Sequence, residues 1–429
     1  MPLLLRRSFT LITLAAALLA AVLPTAALSP ASAASPEAYR IVVLGDSVSV
    51  GYEPIEEIKN GTAAPYGYAD RLLEQSLFRT RSTLANYAIL GLTAPGLANL
   101  LQGAADGKTL QAADLQNFSS FDPRVVAYAD GVAGRTRELA ADLAKADLVV
   151  LTIGGNDFSP LIKAAVEGQS AASASQIIQD GFGMRMNDYT EDLDKVMVGL
   201  HALAPDARIV MSDQYLPLFK GHELYPLLLD KVKELSKALD LFAESTNERG
   251  IPLKVAHVSG KFAGKESSYT YFNLFDNFDI HPKQPGYEAM AQAFAETIWD
   301  DGYRKPAPRA EEVPVSVVIN GKEPPSKPTL IKGTTFLALR DVANAVGAEL
   351  KWNQAKKTAT FNKSGKEVVV TIGSNTVYVD GIARPLQNPA YFQKEGKDVK
   401  TYVPLAIVSD SLDYQVVFRK PIMTVFINS

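Results

Sequence analysis

Four short apolar runs, at residues 40–44, 148–153, 207–212 and 253–258, alternate with stretches whose apolar residues recur every three or four positions. This alternation limits roughly the first 300 residues to an α/β architecture. One helical stripe carries Leu228, Val232, Leu235, Leu239 and Phe242 within residues 226–242. A second carries Tyr287, Met290, Ala291, Phe294 and Ile298 within residues 285–299. Strand–helix alternation implies a parallel sheet covered by helices on both faces, with its functional loops at the carboxyl ends of the strands.

The first run leads into Gly45-Asp46-Ser47-Val48-Ser49, which places a serine in a glycine-containing turn after a buried strand. Ser47 is the first candidate nucleophile and Ser49 its rival, although Gly-Asp-Ser alone reads equally well as an ordinary Asx or serine turn. Three further blocks follow in order: Asn86-Tyr87-Ala88-Ile89-Leu90-Gly91, then Thr152-Ile153-Gly154-Gly155-Asn156-Asp157, then Asp279-Ile280-His281-Pro282. A serine hydroxyl needs a base to take its proton as it attacks an acyl carbon. His281 is the natural partner, because the following proline holds its backbone extended just before a helix.

The four ordered blocks resemble the SGNH or GDSL hydrolase family, over roughly residues 38–300. The resemblance implies a three-layer α/β/α fold with a parallel sheet and assigns the defining residues to Ser47, Gly91, Asn156 and His281. It also implies an oxyanion hole made of the Ser47 and Gly91 backbone N–H groups and the Asn156 side-chain amide. A glycine at position 91 suits that role, since it lets the main chain approach substrate without a Cβ. The sequence departs from the family at the third triad member, an aspartate usually three residues before the histidine, where this chain has Phe278. Asp279, Asp276 or a backbone carbonyl can take its place, and the reading favours Asp279. Alternation along an extended strand counts against it, because neighbouring side chains would point to opposite faces. The other three histidines read as structural or loop residues: His201 at the end of a helical pattern, His257 after a short strand, and His222 in an exposed loop.

The N-terminus reads as an export signal, residues 1–33, with Arg6-Arg7, an apolar stretch and Ala31-Ser32-Ala33 as the cleavage site. An uncleaved N-terminal anchor is the alternative. The expected location is secreted or associated with a bacterial cell surface. The absence of cysteine excludes disulfides, thiolate metal sites and a cysteine nucleophile. A formal charge of −4 with no basic patch leaves no footprint for nucleic acid. No metal or organic cofactor is expected.

Three prolines among charged residues at 303–314 suit an extended linker, which divides a hydrolase domain at 38–302 from a second domain at 315–429. Beyond it, Thr335-Phe336-Leu337-Ala338-Leu339 aligns with Thr401-Tyr402-Val403-Pro404-Leu405, and Trp352 with Phe418, at a constant offset of 66. Two such units, each too small to bury both faces, are expected to pair into a smaller α+β domain. This segment resembles the copper amine oxidase N-terminal-like stalk domain of exported bacterial proteins, yet residues 310–429 hold neither histidine nor cysteine to ligate copper. A structural or surface-attachment role is the expectation.

Two segments, residues 97–135 and 159–187, read as helical insertions that cap the cleft or as plain connecting helices. The functional expectation is a serine esterase or lipase acting on carboxylic (acyl) esters of lipids, with deacetylation of an acetylated envelope or plant polysaccharide as the alternative. A long apolar groove would favour the first, and a polar, aromatic-lined groove the second. From another class, a catalytically silent surface-binding protein on the same fold is the rival.

Overall fold

The computed structural model describes residues 37–166, 170–272 and 279–429; the expected export signal lies outside them, as do Asp276 and Phe278. Five parallel strands form the first sheet: β1 (Tyr39–Gly45), β2 (Ser82–Asn86), β3 (Leu148–Thr152), β4 (Arg208–Ser212) and β5 (Leu253–Ala256). Their spatial order is β2-β1-β3-β4-β5. Alternate side chains divide between two cores. Ile41, Val43, Leu148 and Val150 pack with Leu72, Phe262 and Phe294 on one face. Val42, Leu44, Val149 and Leu151 pack with Leu97, Leu193 and Leu239 on the other. A sheet buried on both faces needs continuous apolar strands, and β3 is buried along its whole length. The three-layer α/β/α arrangement agrees with the expectation from the sequence.

The strand order explains where a site can form. From β1 the chain reaches β2 through helix Tyr68–Leu77, which packs on the first face. From β2 it crosses β1 to reach β3 through helices that include Ala94–Ala105 and Thr136–Leu143, packed on the second face. The direction of winding reverses between β1 and β3, which opens a crevice at their carboxyl ends.

The sequence reading misses β2. Its residues Ser82-Thr83-Leu84-Ala85-Asn86 lie at the sheet edge and are mostly half-exposed, so no apolar run marks them. The fourth run also ends earlier than expected, at Ala256, because Val258 begins the short helix Val258–Phe262. The helix expected at 226–242 runs from Tyr225 to Glu248, with no glycine to stop it before Gly250. The last helix spans Gln284–Ile298.

Beyond residue 315 the chain is mostly strand, with two helices, Leu339–Val346 and Leu405–Ser411. The repeat is structural. Strand Thr334–Ala338, its following helix and the hairpin Glu349–Asn353 with Thr358–Lys363 correspond to Asp398–Pro404, Leu405–Ser411 and the hairpin Gln415–Arg419 with Thr424–Asn428. Equivalent residues Leu337 and Val403, Val342 and Val408, and Phe361 and Ile427 all enter one shared core.

This second part sits against helix Tyr68–Leu77. Phe78 meets Phe426 edge-on at 4.9 Å, and Leu77 and Val318 complete a small buried cluster. Arg419 donates to Glu74 and to Asp70, each at 3.1 Å, and Asn428 donates to the Leu77 carbonyl at 2.8 Å. Arg304, in the segment between the two parts, donates to the carbonyls of Phe78 and Gly321, both at 2.9 Å. The Glu74 side chain is only 3% exposed, so removing its cation leaves a buried carboxylate with the Tyr66 hydroxyl as its remaining polar partner. Arg419→Ala should therefore lower stability by about 3 kcal/mol, read as an earlier chemical-denaturation midpoint, and adding Glu74→Gln should recover part of the loss.

Candidate active site

The turn that carries Ser47 is built by a glycine that no other residue can replace. Gly45 has φ 112°, and a Cβ on it would lie 2.0 Å from the carbonyl oxygen of Thr152 at the end of β3. The next residue, Asp46, caps helix Ser47–Val50, accepting the Val48 N–H at 3.0 Å and the Thr152 hydroxyl at 2.8 Å. Ser47 is thereby fixed at the first position of a short helix above the carboxyl ends of β1 and β3. Burial raises the Asp46 carboxyl to about 6, against the hydrogen bonds from Thr152 and Val48 that oppose the shift.

The His281 Nε2 atom lies 2.7 Å from the Ser47 hydroxyl oxygen, and its Nδ1 lies 2.6 Å from Asp279 Oδ1. The same Asp279 oxygen accepts the backbone N–H of His281 at 2.9 Å. That second bond closes an Asx turn, so the loop does not alternate as an extended strand would, and the carboxylate and imidazole share one side. Burial alone would raise the Asp279 carboxyl, but its hydrogen bond to His281 and the histidine's charge outweigh it and hold the group below the ordinary range. Tyr271 donates its backbone N–H to the His281 carbonyl at 3.0 Å. The Tyr52 ring meets the imidazole edge-on, 4.8 Å away.

Ser49 points elsewhere. It is fully buried, with its hydroxyl 2.7 Å from that of Tyr68 and 2.8 Å from that of Thr152, and it accepts the Thr152 N–H at 3.0 Å. It cannot meet a substrate or a base.

Asn156 lies in the first turn of helix Gly155–Val166 and donates one amide hydrogen to the Leu92 carbonyl at 2.9 Å. The bond orients the amide and leaves its second N–H free to donate. Gly91, beside Leu92, has φ 77°, and a Cβ there would lie 2.2 Å from the Phe121 ring. Among the described residues neither the Ser47 nor the Gly91 backbone N–H has an acceptor, which suits both to an incoming oxyanion. Ser47 and Asn156 line the cleft, whereas Gly91 is buried beside it and is not among the lining residues.

Asp157, next to Asn156, accepts the Ala94 N–H with both oxygens, at 3.0 and 3.2 Å, and so ties the third motif to the helix that follows the second. Burial raises its carboxyl to about 7. Sequence reasoning passed over Asp46, Tyr52 and Asp157, although all three lie inside or beside the motifs. An N-cap aspartate ahead of a short helix was the one readable signal.

The cleft has a volume of about 540 Å³ and runs from Ser47 between helices Gly155–Val166, Ala171–Leu203 and Tyr225–Glu248. Phe158, Leu161, Ile178, Phe182, Leu218, Leu228 and Leu235 make much of its lining apolar, and Asp213, Gln214, His222, Glu223 and Lys231 are among its polar groups. Of the two expected insertions, the one at 159–187 supplies a wall. The one at 97–135 forms helices that pack into the core without lining the cleft. His222 lines the cleft, with its Nδ1 accepting the Leu224 N–H at 3.1 Å. His257 instead lies 3.4 Å from both Asp213 and Asp240, and its hydrogen bond to Asp213 raises its pKa. His201 is half-buried at the end of helix Ala171–Leu203. Among the described residues no group of three or more metal-ligating side chains could hold an ion.

The sequence profile of the GDSL-like Lipase/Acylhydrolase family matches residues 43–289, and that of the copper amine oxidase N-terminal domain matches residues 318–427. No curated protein matches the chain. Among solved structures, phospholipase A1 from Streptomyces albidoflavus NA297 is 16% identical with a TM-score of 0.42; the match covers 61% of this chain and 100% of that one. An extracellular lipase from Streptomyces rimosus is 17% identical with a TM-score of 0.41, at 61% and 100% coverage.

Asparagine at position 279 can still accept the His281 backbone N–H, so Asp279→Asn should keep the turn while losing the charge that stabilises an imidazolium. We expect kcat on a soluble ester to fall ~10³–10⁴-fold with the fold intact by circular dichroism. Retention of more than about a tenth of the wild-type kcat would exclude Asp279 as the acid.

Proposed function

Because the chain belongs to the GDSL-like lipase/acylhydrolase family, we propose that it hydrolyses carboxylic esters with extended alkyl acyl groups, through an acyl-enzyme on Ser47. The largely apolar cleft that begins at Ser47 carries this reading, since the side chains of Phe158, Leu161, Ile178, Phe182 and Leu218 offer an acyl chain burial. Attack by Ser47 Oγ on the acyl carbon passes the hydroxyl proton to His281 Nε2. Asp279 keeps Nδ1–H in place and stabilises the imidazolium that results. The oxyanion receives hydrogen bonds from the Ser47 and Gly91 N–H groups and the Asn156 amide, each donor worth ~10²–10³ in rate. Collapse of the tetrahedral intermediate breaks the ester C–O bond, and His281 returns the proton to the leaving alcohol. Water, deprotonated by the same imidazole, then releases the acid and regenerates Ser47.

Export through residues 1–33 and attachment to a surface or polymer through the C-terminal domain belong to the same proposal. They would set the enzyme to work on lipid outside the cell.

A series of p-nitrophenyl esters from acetate to palmitate, assayed beside acetylated xylan, tests the reading. We expect kcat/KM to rise with acyl length and acetylated xylan to be a poor substrate. Ala174 lines the cleft and packs in a cluster with Ala165, Ile178 and Leu218 that includes none of the proposed catalytic residues, so Ala174→Phe should cut kcat/KM for the longer esters by about tenfold and leave acetate within about threefold. Faster turnover of acetylated xylan than of the longer esters would replace the proposal with deacetylation.

A further inference from the structure

We propose that Glu53, which the established motifs do not include, is a positioning residue for the catalytic histidine. The inference rests on the reading of His281 as the base. Glu53 is 6% exposed and lies three residues beyond helix Ser47–Val50. One of its carboxylate oxygens accepts the Tyr271 hydroxyl at 2.9 Å, and the other accepts the side-chain amide of Gln284. These two partners stand on either side of His281 in the chain. Tyr271 holds the His281 carbonyl through its backbone N–H, and Gln284 opens the helix that begins three residues after the histidine. Tyr52, next to Glu53, presents its ring to the imidazole, and its carbonyl accepts the Tyr287 hydroxyl of the same helix at 2.6 Å. The dipeptide Tyr52-Glu53 thus grips the histidine loop at both ends while remaining tied to the nucleophile turn.

The direction of the hydrogen bonds requires an acceptor at position 53. Arg71 has only donors, and its Nη2 donates to Gln284 Oε1 at 2.8 Å. The Gln284 amide nitrogen must therefore face Glu53, which accepts from it and from the Tyr271 hydroxyl. Leucine at position 53 would keep much of the side-chain volume and remove both acceptors, whereas glutamine could still accept from Gln284 and donate to the Tyr271 hydroxyl oxygen. The Arg71 guanidinium, which holds the other end of Gln284, places a cation at the next position in the same chain of bonds. Loosening this grip would change the Nε2–Oγ approach without touching the apolar cleft, because Glu53 does not line it. Misplacing a reacting group by about 1 Å costs up to ~10²-fold.

The test compares Glu53→Leu and Tyr271→Phe with wild type on p-nitrophenyl acetate, with active sites counted by a fluorophosphonate probe. For Glu53→Leu we expect kcat per titrated site to fall by about tenfold or more, with KM within about threefold. Tyr271→Phe should show a smaller loss in the same direction. A residue that only stabilised the fold would reduce the number of titratable sites and the melting temperature while leaving kcat per site unchanged. A kcat per site within about twofold of wild type in Glu53→Leu would overturn the proposal. If that variant yields too little folded protein to titrate, an unchanged Tyr271→Phe would overturn it as well. Full activity in His281→Ala would instead remove the reading of the base beneath it.

Discussion

The contact between the end of β1 and the end of β3 organises the rest of the site. Gly45 can approach the Thr152 carbonyl only because it lacks a Cβ, and the Asp46 N–H then donates to that carbonyl at 3.0 Å. One short crossing joins the two strands between which the winding of the sheet reverses. It sets Ser47 and Asn156 at the mouth of a single crevice. Asp46 strengthens the joint by accepting the Thr152 hydroxyl, and Ser49 fills the space behind it. Two of the four motifs are therefore held by backbone geometry as well as by side-chain chemistry. A side chain at position 45 would push β1 from β3 and separate the groups the chemistry requires.

How much of this was legible in the sequence depended on how local each cause was. The central strands β1, β3 and β4 announced themselves because a sheet buried on both faces requires unbroken apolar runs, and β5, at one edge, kept a short apolar run as well. The edge strand β2 did not, since its polar residues Ser82, Thr83 and Asn86 break any apolar run. Ser47, Gly91, Asn156 and His281 came from ordered motifs, and three of them stand in or at one cleft. Asp279 was the favoured partner of His281 on proximity alone, against period-two alternation, because the Asx turn that joins them has no signature in the pattern. Glu53 was invisible for another reason. Its partners Tyr271 and Gln284 lie more than two hundred residues away, and a lone glutamate after a serine motif reads as surface charge. The cleft walls were half legible, since composition marked two helical insertions without saying which would face Ser47.

The C-terminal part extends the same lesson. Its repeat was readable because both copies solve one packing problem with equivalent residues, such as Leu337 with Val403 and Val342 with Val408. Its junction with the hydrolase part was not, because Arg419, Phe426 and Asn428 have no pattern that points to Glu74, Phe78 and Leu77. Segment 303–314 reads as an extended linker by composition, yet Arg304 within it is pinned to the Phe78 and Gly321 carbonyls. A buried glutamate paired across the junction couples the stability of the two parts. The helix that carries Glu74 also carries Arg71, whose hydrogen bond to Gln284 supports the histidine loop.

The central claim is that Ser47, activated by His281, is the residue that becomes acylated. Mass spectrometry of the intact protein and its peptides after brief reaction with a fluorophosphonate measures this directly. The account predicts one adduct per chain, on the peptide containing Ser47 and at that residue, and none in His281→Ala over the same interval. An adduct on Ser49 or on any other serine, or undiminished labelling of Ser47 without His281, would contradict it.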